Sequence, residues 1–242
     1  MRIAVLIALS LSVAAAFAAD PWKDMAKQIF QQQAGPAGAS LTDSEVVRGL
    51  KEALAKGTRS AVLQLGKTDG FWAHQRFRIP LPAPMMKADT FLRAAGYGPS
   101  LDELHLSFNR AAEKAVPLAA DVFGTAVEKL TLADARQILN GPNDAATQYF
   151  RRATGDRLAA EFKPIVAGVT SQVGLVQQYQ KVIAPAGAAA GLFGPTMDVN
   201  DYVTQRALNS LFLRVADEEE AIRRNPAART SEILKRVFGS RG

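Results

Sequence analysis

The 242-residue chain contains no cysteine and only two histidines, His74 and His105. Without a thiol there is no disulfide, no thiolate nucleophile and no cysteine to carry a lipid at a processed N-terminus, so packing alone stabilises the fold. Two histidines and no thiol cannot supply the three nitrogen or sulfur ligands of a typical catalytic zinc site. Neither histidine stands in an H-E-x-x-H spacing. The nucleophile elbow G-x-S-x-G and the P-loop are missing too. Gly96-Tyr97-Gly98 follows no strand pattern and reads as a helix end rather than a dinucleotide fingerprint. No cofactor and no metal are expected. An enzyme is the lesser reading, although a Ser-His-Asp set is assembled by the fold and leaves no local trace. After the first 18 residues no apolar run is long enough to span a bilayer: Val182 to Gly194 comes nearest, and Pro185, Gly187 and Gly191 interrupt it.

The first 18 residues differ from the rest. Arg2 precedes an apolar stretch from Ile3 to Val13, and Ala16-Phe17-Ala18 has the small-x-small pattern of a cleavage site. Residues 1–18 are expected to be a cleavable signal peptide cut before Ala19, being shorter than the ~18–20 apolar residues of a membrane span. The expected compartment is the periplasm. The formal charge of +6, from 29 basic and 23 acidic residues, favours anionic surfaces such as phospholipid headgroups. An exported protein meets little nucleic acid, so no nucleic-acid partner is expected.

Helical signals dominate the rest of the chain. Residues 20–33 place Trp22, Met25, Ala26, Ile29 and Phe30 on one face of a short amphipathic helix, and the Ala/Gly/Pro/Ser stretch 34–40 is a flexible linker. The amphipathic helix is expected to dock on the main domain, with a membrane or partner as the rival. Thr42 to Glu45 is a capping box opening a helix to about Leu65, with Gly66 as its stop. Residues 66–83 resist a helix because Pro80 and Pro82 forbid it; Phe77, Ile79 and Leu81 alternate with Arg76, Arg78 and Pro80 in the manner of an extended strip. So long a connection is often functional, and Phe71, Trp72 and His74 sit at its front.

Helix patterns resume over 86–95, 101–115 and 118–130. Thr131 with Asp134 opens another to Leu139, and Asn140-Gly141-Pro142 stops it. Asn143 or Asp144 is expected to cap a helix running past Phe150. A long pattern from Asp156 to Tyr179 contains Pro164, and residues 184–196 read as a Gly/Ala/Pro loop. Asp198 caps a helix over about 199–224, and residues 227–238 make the last. No hairpin appears. The expected architecture is all-α: residues 41–239 as a single-domain bundle of about eight to ten helices with one long extended loop.

Two polar clusters lie beside apolar faces. One is Asn109, Arg110 and Glu113. The other is Asn140, Asp144, Thr147, Tyr149, Arg151 and Arg152. Glu219 continues the apolar stripe of Leu208, Leu211 and Val215, and a carboxylate there needs a partner. Arg110, Arg151 or Arg152 can supply one, and Arg223 stands at i+4 from it. These clusters read either as buried networks tying helices together or as a polar patch orienting an anionic head group by arginine.

Several words in the chain resemble a bacterial envelope family, the domain of unknown function 4197. They include Ile138-Leu139-Asn140-Gly141-Pro142-Asn143-Asp144 running on to Tyr149-Phe150-Arg151-Arg152, Asp69-Gly70-Phe71, Ile79-Pro80-Leu81-Pro82, Asn109-Arg110-Ala111-Ala112-Glu113, Asp201-Tyr202-Val203-Thr204 and Asn225-Pro226-Ala227-Ala228-Arg229. The resemblance covers about 41–239. It implies a helical exported protein and brings no assigned activity, so no catalytic residue is carried over.

The leading functional expectation is a non-enzymatic envelope protein that binds an apolar or amphiphilic ligand, or a protein partner, between helices. The binding set would be Asn109, Arg110, Glu113, Asp144, Thr147, Tyr149, Arg151, Arg152 and Glu219, with loop contacts from Phe71 and Trp72. The alternatives are a hydrolase-like enzyme pairing Glu113 or Glu219 with Arg151 and Tyr149, and a purely structural assembly factor.

Overall fold

The computed structural model describes residues 42–172, 177, 198–229 and 231–239. The expected signal peptide, amphipathic helix 20–33, linker and 184–196 loop lie outside them. The chain divides into two units, Met1–Ser40 and Leu41–Gly242, and all the described residues belong to the second. They form helices and no strand.

Helix α1 (Asp43–Leu65) opens on the expected capping box. Thr42 Oγ1 accepts from the Glu45 N–H at 3.3 Å, and Glu45 Oε2 accepts from the Thr42 N–H at 3.0 Å, which satisfies two donors of the first turn. Its buried face runs through Leu50, Ala53, Leu54, Ala61, Val62 and Leu65, at the spacing of one helix side. A Cβ on Gly66 would meet Val62 O at 2.9 Å and Pro117 Cγ at 3.0 Å, so the stop is set by close approach.

Helix α2 (Ala83–Ala94) carries Pro84 in its first turn, where the missing N–H is harmless. It is followed by α3 (Gly98–Ala115), which a 3-10 turn (Val116–Leu118) joins to α4 (Ala119–Glu128). Pro117 falls in that turn. Helix α5 (Leu132–Asn140) begins with the second capping box, Thr131 with Asp134. Helix α6 (Ala145–Gln172) is continuous, merging what the sequence reads as two patterns, and it keeps Pro164 inside. Helix α7 (Val199–Arg224) is capped by Asp198, whose carboxylate accepts from the N–H groups of Asn200 and Asp201 at 2.8 and 3.1 Å. A 3-10 turn (Pro226–Ala228) leads to α8 (Glu232–Gly239).

Helices α6 and α7 form the central pair. Helix α1 packs on α7, α4 and α8, and α3 packs on α6. Between α4, α6 and α7, Phe123 lies edge-on to Phe150 and Phe212, with ring centroids 5.2 and 6.0 Å apart. All three rings are buried, and each contributes on the order of 2–3 kcal/mol by leaving water.

Residues 66–82 depart from the expected extended loop. Successive turns occupy most of it: the N–H groups of Ala73, His74 and Phe77 bond to the carbonyls of Asp69, Phe71 and His74. The longest stretch without a turn, helix or strand is 78–82. Phe71, Phe77, Ile79 and Leu81 are nevertheless buried in the main core. The chain coils here because so short an apolar series must reach the core from positions 71 to 81 without a strand partner.

Candidate functional site

Each of the two buried carboxylates of the sequence clusters grips backbone. Glu113 stands on the inner side of α3. Its Oε1 accepts from the N–H groups of Phe71 and Trp72 at 3.1 and 3.2 Å, and its Oε2 accepts from Arg110 Nη1 at 2.7 Å. Arg110 reaches on with Nη2 to Asp69 Oδ1 at 2.7 Å. The bond to Glu113 above all raises the Arg110 guanidinium further above its ordinary value. Asp69 has a positive φ of 65°. Gly70 follows because a Cβ there would collide with the carbonyl oxygens of Leu65 and Gln64.

One turn back, fully buried Asn109 treats Ile79 as a neighbouring strand would. Its Oδ1 accepts from the Ile79 N–H at 2.8 Å, and its Nδ2 donates to the Ile79 carbonyl at 3.1 Å. His105 Nε2 donates to the same carbonyl at 2.9 Å, which makes the neutral ring the Nε2–H tautomer. Burial pushes the His105 pKa below its ordinary value, against the bond to Ile79 and with help from Arg78. Trp72 lies edge-on to His105 at 4.9 Å and under the Arg78 guanidinium at 4.6 Å. From the other side, Tyr202 and Ser210 of α7 donate to the carbonyls of Pro80 and Phe77 at 2.8 and 2.9 Å. Side chains of α3 and α7 thus satisfy a backbone that no strand satisfies.

Glu219 is the second grip. Its Oε1 accepts from the Ala146 N–H at 3.0 Å, and its Oε2 accepts from the Thr147 N–H and hydroxyl at 2.9 Å each. Arg223 donates to Oε1 from Nε and Nη2 at 3.0 and 2.9 Å and to the Ile138 carbonyl at 2.9 Å. A carboxylate on α7 therefore covers the N-terminus of α6, where free N–H groups and the helix dipole favour negative charge. Asp144, expected as a cap, stands just before α6 with its carbonyl accepting from the Gln148 N–H at 2.9 Å, but its side chain accepts from the Gln148 amide at 2.9 Å. The partner of Glu219 is Arg223 one turn along α7, not Arg110, Arg151 or Arg152.

The other sequence candidates are spread over the surface of α6. Tyr149 donates to the Ala126 carbonyl at 3.2 Å, and burial raises its pKa. Arg151 is exposed, bonds Asn209 Oδ1 at 3.1 Å and lies over Phe212 at 4.6 Å. Arg152 and Asp144 are exposed. Glu113 and Glu219 share no hydrogen-bond partner, and neither bonds to Tyr149 or Arg151 among the described residues. Beside Glu219 and Arg223 lies a cavity of about 20 Å³, walled otherwise by Leu50, Leu54, Thr58, Phe150 and Ile222, which has room for about one water. No group of three or more His, Asp or Glu side chains placed to hold a metal occurs among the described residues.

Sequence reasoning did not find the roles of Tyr202, Ser210 and His105 or the steric need for Gly70. The words Asp69-Gly70-Phe71 and Asp201-Tyr202 carried a signal for two of them.

These contacts define a class: an all-helical protein whose buried polar side chains secure a turn-rich segment and the start of a long helix. The chain belongs to the family described as protein of unknown function (DUF4197), whose model matches residues 40–239. No curated protein and no solved structure matches the chain.

Proposed function

We propose that this protein is an exported, non-enzymatic envelope protein that acts by binding a protein partner on its surface. The observation that carries this reading is the full occupation of its two buried carboxylates. A general acid or nucleophile must face substrate, whereas Glu113 and Glu219 each give both oxygens to backbone N–H groups or arginine. Space for about one water beside Glu219 leaves no chamber there for an amphiphile between helices. Apolar side chains remain outside, with Leu63, Met86 and Phe91 more than half exposed. The residues 1–18 support export, and the basic balance supports an anionic setting.

Native mass spectrometry of protein purified from the periplasm tests the reading. The expected species starts at Ala19 and carries bound protein rather than lipid. A chain that keeps residues 1–18, is confined to the cytoplasm, or carries stoichiometric lipid overturns it.

A further inference from the structure

The exposed side of the α1–α4 pair carries charges and leucines that answer each other. The two helices run antiparallel. Lys51 Nζ donates to the Glu128 carbonyl at 2.7 Å at one end, and Gly66 abuts Pro117 at the other. Between these ties the register puts Arg59 level with Asp121 and Leu63 level with Leu118. A groove of about 360 Å³ opens along the pair, walled by Ala55, Arg59 and Leu63 on one side and by Ala120, Asp121 and Gly124 on the other. Its floor is shallow because the α4 side is Ala120 and Gly124, and a Cβ on Gly124 would have nothing within 4 Å. Leu63 is 67% exposed and Leu118 37%. Arg59 and Asp121 are both exposed, and neither is in a salt bridge among the described residues.

We infer that this face is an interface between two copies of the chain. A two-fold axis parallel to the helices sets α1 of one copy over α4 of the other at unchanged height. That operation brings Arg59 onto the second copy's Asp121 and Leu63 onto the second copy's Leu118, each twice by symmetry. One cation and one anion at the same level on facing walls make the patch self-complementary, as an isologous contact needs, and small residues on the floor let backbones approach. The pair spans about 12 residues, roughly 18 Å at 1.5 Å per residue. A contact this short lies below the standard size of specific interfaces and suits a transient association. The dimer is therefore a weak one. At the Lys51–Glu128 end the same operation sets exposed Glu52 against the second copy's Glu128, a like-charge pair that weakens the dimer further. This self-association does not depend on where the protein resides or what else it binds.

Sedimentation equilibrium of the full mature chain from 5 to about 500 μM, at low and high salt, tests the inference. The expected result is a monomer–dimer equilibrium weakened by salt. R59E and D121R should each raise the dissociation constant about tenfold or more, because each places two like-charge pairs across the dyad. The double variant R59E/D121R should recover association by restoring both pairs with reversed polarity. Circular dichroism melting should show all three folded like the parent, since both positions are exposed. A monomer throughout the range overturns the proposal, whether or not it captures a helix of another protein. So does a dimer that neither reversal weakens, or a double variant no better than the singles.

Discussion

At the scale of single residues, the chemistry of this protein is that of carboxylates, amides and hydroxyls used as substitutes for backbone partners. Glu113 is the clearest case. Removing its side chain leaves the buried Phe71 N–H, the half-buried Trp72 N–H and the inner nitrogen of Arg110 without that acceptor. Breaking a buried charge pair costs on the order of 3–5 kcal/mol. Glu113→Ala should lower the urea-unfolding free energy by that amount, and Glu113→Gln by less, because one oxygen remains to face the backbone. Arg110→Ala should destabilise the fold rather than leave a folded protein with a lost activity, as circular dichroism melting would show. His105 makes a pH prediction. Its folded pKa lies below the ordinary value, so between the two values the unfolded chain binds the extra proton. Stability is then complete above about pH 6.5 and declines as pH falls below it, until the folded-state pKa is reached. Melting temperatures from pH 7.5 to 5 should show this slope, and His105→Asn should reduce it.

At the scale of elements, α6 shows how a helix can be started by another. Nothing in residues 143–147 announces that the acceptor for the Ala146 and Thr147 N–H groups is more than 70 residues away on another helix. The apolar stripe around Glu219 demanded a partner for it, and Arg223 at i+4 was readable. The helix end was not, because the contact depends on how α7 crosses α6. Glu219→Ala should cost about 2–4 kcal/mol, more than an ordinary cap, since it also strands Arg223. A double-mutant cycle with Arg223→Ala separates the two contributions. Pro164 is the opposite case. It lies exposed inside α6, where it lacks an N–H and crowds the preceding turn. Pro164→Ala should raise stability by about 1–3 kcal/mol, read as an increased melting temperature. In the turn-rich segment, Gly70→Ala should destabilise by about 1–3 kcal/mol, because the added Cβ meets two carbonyl oxygens of α1's last turn.

At the scale of the whole molecule, one core joins residues from Leu50 to Phe238, so unfolding of the described unit should be a single cooperative transition by calorimetry and fluorescence alike. Burial raises the pKa of both Tyr149 and Tyr202. For a phenol the sign is that stability is complete below about pH 10 and lost as pH rises from there toward the folded-state value.

Local residue patterns were enough to establish the helical class, the two capping boxes at Thr42 and Thr131, the Asp198 cap and the family. Each of these is written in residues a few positions apart, within reach of one another before any folding. Which groups the buried polar side chains bond to was decided by packing. Glu113, Asn109 and Glu219 look alike in sequence whether they face a substrate or a backbone, because burying a polar group demands a partner without naming it. Packing of α3 and α7 supplied those partners from segments 30 to 73 residues away. It also left Arg59 and Asp121 exposed on facing walls, a juxtaposition visible only once α1 and α4 lie side by side.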